Sequence, residues 1–258
     1  MENESKAVAA WNAVLTVALK VPGAKVERKS FLSKEFSSYC SEPQLIKIID
    51  VGPAKAGLSV ETMDKIADGC IKMHTITATT TSFVSGIPGG LAMLGTVPAD
   101  VAQFYYHIIV ISQKLAYIYG WPDFEEKESN DEFLSMITTF VGVMAGAKAA
   151  NTAVKELSLA LSKEVAKRLP RVHLTKYGIY TVSKQVAKWI GISLTKTTFS
   201  RFVSKIIPFI SAVISGGITA ATYYPMAKRM KNYLRELPLA KIEDSRLTNG
   251  EADGAVVS

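Results

Sequence analysis

The longest regular pattern in the chain is an apolar face at helical spacing over residues 97–119. Its apolar positions recur at alternating intervals of four and three, the period of one face of an α-helix. These positions are Val97, Val101, Phe104, Ile108, Ile111, Leu115 and Ile118. Thr96 can cap the N-terminus, and Gly120 can end the helix. The remaining face is also mostly apolar, so we expect a central helix that its neighbours cover on most of its circumference.

Shorter segments with helical spacing lie on both sides of this central helix. Glycines, prolines and polar clusters separate them, as at helix boundaries. The threonine-rich run 75–81 has strand propensity, but no partner strand is visible elsewhere, so a helix capped at Ser59 and extending into this run is favoured over a strand. The other predicted helices cover residues 6–19, 29–39, 42–51, 133–169 as one helix or two, 177–191 and 228–237.

The sequence therefore predicts an all-α fold. We expect a single multi-helix domain over residues 1–241, arranged around the central buried helix, followed by a disordered tail over residues 242–258. Hydrophobic residues make up 48% of the chain. That share can fill a large core, and it is too high for a mainly disordered protein.

Two features would also suit a membrane-spanning protein. Residues 206–227 are uncharged and about as long as a bilayer-crossing helix. Prolines, glycines and hydroxyl side chains interrupt this stretch, so a buried hairpin is favoured over a span. Gly142, Gly146 and Ala150 are four residues apart, a spacing that lets another backbone approach closely. We favour tight packing within a soluble fold for this second feature.

One polar stripe crosses the apolar central helix. Asp100, Gln103 and His107 are three and four residues apart and share one side of it. A carboxylate there could orient the imidazole for general-base work, or the three residues could contact a ligand in a polar pocket. They could also hydrogen-bond to a neighbouring helix, because buried polar groups need partners. This structural role is favoured, and the three residues are the candidate ligand-binding set.

The sequence contains no motif typical of a metal, nucleotide or hydrolase site. Its three histidines do not suggest a ligand cluster, and Cys40 and Cys70 have no paired spacing. The glycine-rich turn at 86–90 lacks the lysine of a phosphate-binding loop. The acids within 123–132 lack the order of a calcium loop and predict an exposed connection. We therefore expect no metal, no cofactor and no catalytic residue.

Charge is distributed unevenly along the chain. The net charge is +7, and residues 155–241 carry sixteen Lys and Arg against three acids, whereas the rest carries fourteen against twenty. Such a bipolar chain indicates that its C-terminal part faces something anionic. No nucleic-acid motif accompanies these cations. An anionic membrane surface or a membrane protein complex is therefore the expected partner, and nucleic acid is not.

Two segments combine cations with apolar side chains in the manner of amphipathic helices. Lys184 and Lys188 lie on one side of the segment 177–191, and Arg201 and Lys205 are one turn apart in the next. The opposite sides carry Val182, Val186, Trp189 and Ile190 in the first segment, and Phe199, Phe202 and Ile206 in the second. Such helices can lie among anionic headgroups. The alternative is that their apolar sides fill the core and the lysines only keep the protein soluble.

Several short motifs follow one another in a defined order along residues 21–231. They are VPGAK at 21–25 with Phe31-Leu32, GPAKAG at 52–57, the turn at 86–90 leading to Pro-Ala-Asp at 98–100 and Tyr-Gly-Trp-Pro at 119–122, then Gly146-Ala147 with Asn151, and Gly216-Gly217. In this order of motifs the chain resembles the EcsC family, bacterial proteins often encoded beside a membrane ABC transporter. The resemblance implies an association with membrane transporters.

We therefore expect a non-catalytic, membrane-associated protein that binds anionic lipid, or a membrane partner such as an ABC transporter, through basic amphipathic helices. The N-terminus opens with acids and shows no cleavage site, which favours a cytoplasmic protein at the inner face of the cell membrane. One alternative is an enzyme with a hydrophobic pocket that acts on a lipid-like substrate through Asp100 and His107. Another is a transporter subunit without lipid affinity. The candidate membrane-surface residues are Lys184, Lys188, Trp189, Arg201 and Lys205.

Overall fold

A computed structural model of the protein describes residues 2–80, 97, 99–124, 131–163, 171–196 and 217–241. Within these residues the chain forms ten α-helices and a final 3₁₀ turn, with no β-strand. The predicted all-α fold is therefore confirmed. The helices are α1 Glu2–Leu19, α2 Arg28–Phe36, α3 Glu42–Val51, α4 Val60–Thr80, α5 Ala99–Ile118, α6 Asp131–Ala145, α7 Lys148–Ser162, α8 Arg171–Lys176, α9 Ile179–Lys196 and α10 Gly217–Leu234, and the 3₁₀ turn is Pro238–Ala240.

Helix α5 is the central buried helix that the apolar pattern predicts. Every side chain over residues 107–119 is buried except that of Lys114. Helices α1, α2, α4, α6 and α10 all contact α5. The buried side chain of Gln113 has hydrogen-bond partners for both its donor and its acceptor group. Its amide nitrogen donates to Ala24 O at 2.7 Å, and its Oε1 accepts from Val26 N–H at 2.9 Å. The loop after α1 is thereby fixed to α5, while the predicted cap Thr96 lies outside the described residues.

Three distant parts of the chain meet at the C-terminal end of α5. Gly52 and Gly120 have φ angles of 94° and 88°, a left-handed conformation that favours glycine. A Cβ on Gly52 would lie 3.3 Å from Gly120 Cα, and a Cβ on Gly120 would lie 2.7 Å from the carbonyl oxygen of Leu239. The loop after α3, the end of α5 and the 3₁₀ turn therefore stack backbone on backbone.

The threonine-rich run continues α4 as a helix. Ser59 Oγ accepts from Thr62 N–H at 3.3 Å, which caps the helix as predicted. In the run itself, Thr75 Oγ1 donates to Ile71 O at 2.8 Å, one turn back along the helix. This bond satisfies the hydroxyl without interrupting the helix. The preference for a helix over a strand is confirmed as far as Thr80.

The predicted helical region 133–169 forms two helices, α6 and α7, because Gly146 has a φ angle of 83° and ends the first. Gly142 has a different role within α6. A Cβ there would lie 2.8 Å from Val186 Cγ2 and 2.9 Å from Ala150 Cβ, so α7 and α9 both approach α6 closely. Of the regularly spaced glycines, Gly142 thus makes a packing contact and Gly146 ends a helix. Residues 164–170 lie outside the described part.

Helix α10 begins at Gly217, well before the start at 228 that the sequence predicts. The second half of the predicted hairpin 206–227 is therefore helical, and residues 206–216 lie outside the described part. Burial of Thr222 and Tyr223 outweighs their modest helix propensity, and Pro225 is exposed on the outer side. Among the described helices, none has the length and apolarity needed to cross a bilayer. The predicted tail 242–258 is also outside the described residues.

The predicted exposed connection over 123–132 is wrong at both ends, and at its N-terminal end Phe124 is buried. Glu132 belongs to α6 and is only 2% exposed. Its Oε1 accepts a hydrogen bond from the Tyr180 hydroxyl at 3.2 Å, which supplies the partner that a buried carboxylate needs. Residues 125–130 of this connection lie outside the described part.

Candidate functional site

Helix α9, the first of the predicted membrane-binding segments, packs closely on α1 and α6. A Cβ on Gly191 would overlap the carbonyl oxygen of Ala7, so the backbones of α9 and α1 approach each other directly at this glycine. Val186 and Ile190 are buried in the core. These contacts leave only an outward arc of α9 at the surface.

Trp189 lies on that outward arc and not with the buried apolar residues of α9. Its side chain is 42% exposed, whereas Val186 and Ile190 are buried. Position 189 lies about 100° around the helix from Lys188 and about 140° from Lys184, at the edge of the outward arc next to Val186. The predicted apolar side of α9 is thus divided, because Val186 and Ile190 fill the core while Trp189 is exposed at the edge of the arc. Helices α1, α6, α7 and α8 contact the rest of α9, so the tryptophan and both lysines lie along one outward arc.

The candidate cations of this region have different surroundings. Lys188 Nζ forms an ion pair with Glu4 Oε1 of α1, and the hydrogen bond from Lys188 lowers the pKa of Glu4. Lys184 is exposed and forms no ion pair with any of the residues that the structure describes. Arg201 and Lys205, the other two candidates, lie outside the described residues.

A groove of about 630 Å³ runs between α1, α6 and α9 beside this arc. We call it the main groove. Trp11, Leu15 and Ala187 contribute to its floor and are themselves buried. Exposed residues form its rims, among them Asp131 on α6 and Lys184 on α9. The main groove therefore combines an apolar floor with a charged rim.

A second groove, of about 660 Å³, adjoins the first at its α1 and α9 sides. We call it the side groove. It shares Val8, Asn12 and Lys184 with the main groove and adds Glu4 and Lys188. Lys184 therefore stands where the two grooves meet, with the ion pair of Lys188 and Glu4 beside it.

His107 of the predicted polar stripe lies in the core and faces a second histidine. Its Nδ1 is 3.5 Å from Nδ1 of His74 in α4, and its ring makes edge contacts with Tyr106 and Tyr223. Burial lowers the pKa of His107 to about 4. Burial, together with the charge of Lys114, lowers the pKa of His74 to about 3. Both imidazoles are therefore neutral at neutral pH, and one can donate to the other.

Of the other two stripe residues, the structure describes only the side chain of Gln103. Asp100 lies in the first turn of α5, but its side chain is outside the described part. Gln103 is half-buried. The buried hydroxyl of Tyr223 has no hydrogen-bond partner among the described residues, and burial raises its pKa. Neither groove is lined by His107, so the structure places the histidine pair apart from both.

A cluster of charges that the sequence analysis missed joins α4 to α10. Lys228 Nζ lies 2.7 Å from Asp68 Oδ1, and Lys231 Nζ lies 2.8 Å from Asp68 Oδ2. Arg235 Nε is 3.2 Å from Asp64 Oδ2. Burial acts to raise the pKa of Asp68, but the hydrogen bonds from the two lysines outweigh it and lower that pKa. For these three cations the anionic partner is α4 of the same chain.

The spacing of these charged residues in the sequence indicates such a cluster. Asp64 and Asp68 are four residues apart, and Lys228, Lys231 and Arg235 follow at three and four. Each set therefore forms one charged stripe on a helix. Opposite stripes on two predicted helices favour a contact between them, although the sequence does not say which helices are neighbours.

The described thiols and acidic side chains do not favour a reactive or metal-binding site. Burial raises the pKa of Cys70 to about 12 and also raises that of Cys40, so both thiols are protonated at neutral pH. In the part of the chain that the structure describes, no group of three or more His, Cys, Asp or Glu side chains could hold a metal ion.

Comparisons with models of known protein families, with characterised proteins and with solved structures found no match. The resemblance to the EcsC family therefore stays a prediction from the motifs.

Proposed function

We propose that this is a non-catalytic peripheral membrane protein that binds anionic lipid, or a partner in such a membrane, through the outer arc of α9. The observation that carries the proposal is the exposure of Trp189 on the same surface as Lys184 and Lys188. The resemblance to EcsC proteins, with their link to ABC transporters, favours the inner face of the cell membrane as the location.

The pairing of charges inside the fold supports this choice of surface. Lys228, Lys231 and Arg235 are already paired with acids of α4. Arg229 donates to Met144 O at 2.6 Å, at the C-terminal end of α6. Of the sixteen cations over residues 155–241, these four are thus used within the protein. On α9, by contrast, Lys184 is exposed, and the exposed Trp189 lies on the same outward arc.

The mechanism differs from insertion of a whole apolar helix face, because Val186 and Ile190 belong to the core. The indole of Trp189 has an apolar body and a polar N–H, which suits the boundary between headgroups and acyl chains. Each lysine near an anionic surface adds about 1 kcal/mol of attraction. Attraction by Lys184 and Lys188, followed by shallow seating of one indole, gives reversible binding.

Co-sedimentation of the full chain with vesicles tests this proposal. We expect binding to vesicles that contain anionic phospholipid and little binding to phosphatidylcholine alone. Lys184→Glu with Lys188→Glu should weaken binding at least about tenfold, because an attracting lysine becomes a repelling acid and the exposed Glu4 loses the cation that neutralises it. Trp189→Ala should weaken binding to anionic vesicles as well, by removing the interfacial anchor.

The matched control reverses two exposed lysines of α7, Lys148→Glu with Lys155→Glu, which changes the net charge equally on another helix. This variant should bind almost as the wild type does. If the α7 variant lost as much binding as the α9 variant, the attraction would come from net charge and not from the surface of α9. Unchanged binding by the α9 variant would rule the mechanism out.

The enzyme alternative has less support from the geometry. His107 is 3% exposed, faces His74, and lines neither of the two grooves. A general base has to reach the substrate proton directly or through one water. The described contacts of His107 are those of a packed polar cluster, which suits a structural role.

A further inference from the structure

We propose that the main groove holds a single amphiphile with one hydrocarbon chain and one anionic head, such as a phosphate or carboxylate. The hydrocarbon chain would lie along the groove floor, and the anionic head would lie at Lys184. This inference rests on the proposed function in one respect, since the same lysines would meet the lipid headgroup. It goes further by assigning a site for one molecule beside the membrane-facing arc.

The floor of the main groove suits a hydrocarbon chain. Two of its polar groups already have partners, because Trp11 Nε1 donates to Thr138 Oγ1 at 3.0 Å and Ser183 Oγ donates to Tyr180 O at 2.9 Å. An apolar ligand would therefore cover them without breaking a hydrogen bond. Leu15 and Ala187 add apolar surface to the same floor. The volume of about 630 Å³ lies within the range of about 300–1,000 Å³ that small-molecule sites show.

The rims of the groove place the anionic head. Asp131 stands on the α6 rim and would repel an anion, whereas Lys184 stands on the α9 rim. Lys188 lies one turn further along α9, in the side groove that adjoins at Lys184. Its ion pair with Glu4 leaves the Lys188 side chain 41% exposed, so an anion at Lys184 could also approach it. The head therefore belongs at the junction of the two grooves.

The position of the groove also favours an amphiphile over a fully soluble ligand. Lys184 belongs both to the groove rim and to the outer arc that carries Trp189. An amphiphile in the groove would thus have its head at the same depth as the headgroups that the arc would contact. Continuity between the two surfaces gives the ligand a route from the membrane into the groove.

Isothermal titration calorimetry with dodecyl phosphate below its micelle concentration tests the inference on the full chain. We expect saturable binding of one molecule per chain. Inorganic phosphate at the same concentration should give no measurable heat, and uncharged dodecyl maltoside should bind more weakly. Lys184→Gln should weaken dodecyl phosphate binding several-fold while leaving dodecyl maltoside unchanged, because only the head contact is lost.

Filling the groove provides the decisive variant. Thr16 and Thr152 are both exposed threonines whose hydroxyls donate to the carbonyl four residues earlier, but only Thr16 lines the groove. Thr16→Phe should weaken dodecyl phosphate binding at least tenfold, and the matched control Thr152→Phe should leave it unchanged. Ser135→Phe, on the α6 side of the groove, is a second filling variant, and circular dichroism confirms that each variant is folded.

The outcomes separate this inference from the proposed function. Vesicle binding without dodecyl phosphate binding would overturn the inference and leave the membrane proposal intact. The same dodecyl phosphate affinity in wild type and both folded filling variants would overturn it too, as would equally tight binding of inorganic phosphate. Groove-dependent binding of dodecyl phosphate without any vesicle binding would support the inference and contradict the membrane proposal.

Discussion

At the scale of single residues, the histidine pair in the core links folding to pH. His74 and His107 bring their Nδ1 atoms within 3.5 Å of each other, a contact that requires at least one neutral ring to accept. Burial is the main reason that both pKa values are lowered, to about 3 and about 4. In the unfolded chain the same side chains bind a proton near pH 6.5. Folding therefore excludes protons that the unfolded state takes up.

Stability should fall as the pH is lowered from about 6.5 to 5. In this window the unfolded state binds protons and the folded state does not, so the free energy of unfolding drops by up to about 1.4 kcal/mol per pH unit for each histidine. Urea unfolding at several pH values measures this slope. The double variant His74→Gln with His107→Gln should show a shallower slope. The same slope in both proteins would mean that the pair is not held neutral.

The sequence could place His107 on a polar stripe, but it could not supply its partner. Spacing within one helix fixes which residues share a face. His74 lies on α4, and the packing of α4 against α5 decides which of their side chains meet. Trp189 shows the same limit, because only the positions of the helices packed on α9 reveal which part of it remains exposed. The sequence predicts which residues share a helix face. It does not predict which side chains of other helices they contact.

At the scale of elements, α4 and α10 are held together by charge as well as by apolar contact. Lys231 is 5% exposed, and its ammonium depends on Asp68 at 2.8 Å and on Asp64 at 3.8 Å. A buried cation that loses its partner is costly, whereas replacing it by an apolar side chain of similar size often costs little. The two halves of this ion pair should therefore respond differently to substitution.

Asp68→Asn should destabilise the protein by about 1–2 kcal/mol, because Lys231 keeps its charge and loses its nearer partner; the partial exposure of Asp68 keeps the loss below that of a fully buried pair. Lys231→Met should cost less, and the double variant should resemble Lys231→Met alone. Urea unfolding at pH 7 gives the full double-mutant cycle. Lys6→Met, in an exposed pair with Glu2, is the control, with an expected effect within about 0.5 kcal/mol. Additive effects of the two core substitutions would contradict this coupling.

The helix boundaries were predictable wherever a local sequence signal marks them. Ser59 begins α4, Gly120 follows the end of α5, and Gly146 separates α6 from α7. The errors arose where packing outweighs local preference. Gly217 begins α10 early because the first turns of the helix contain buried Thr222 and Tyr223. Such burial depends on helices distant in sequence, so no local pattern contains it.

At the scale of the whole molecule, part of the bipolar charge of the chain is used in attraction between its N-terminal and C-terminal parts. Acids near the N-terminal half, in α1 and α4, pair with cations of α9 and α10. The cations fall into two groups. Those of α10 are partly buried between helices, whereas Lys184 on α9 faces solvent. Salt screens exposed charges much more than buried ones.

Raising sodium chloride from about 0.1 M to about 1 M, which shortens the Debye length from about 10 Å to about 3 Å, should separate these two groups. Binding to anionic vesicles should be mostly lost. The midpoint of thermal unfolding should move by less than about 4 °C, the shift that about 1 kcal/mol gives in a chain of this size. Co-sedimentation and circular dichroism on one salt series measure both. Salt-independent vesicle binding would point to apolar insertion and contradict attraction by lysines.

The stack of Gly52, Gly120 and Leu239 bears on how the protein is made. During synthesis the first two segments leave the ribosome long before the third, so the end of α5 remains uncovered until residue 239 is free to dock on it. The contact of Ala7 with Gly191 has the same property, since its partners are far apart in sequence. Local helices can form early, but these long-range contacts are slow to close. A ribosome that stalls before residue 239 would therefore hold a chain with its central helix incompletely covered, a natural substrate for chaperones.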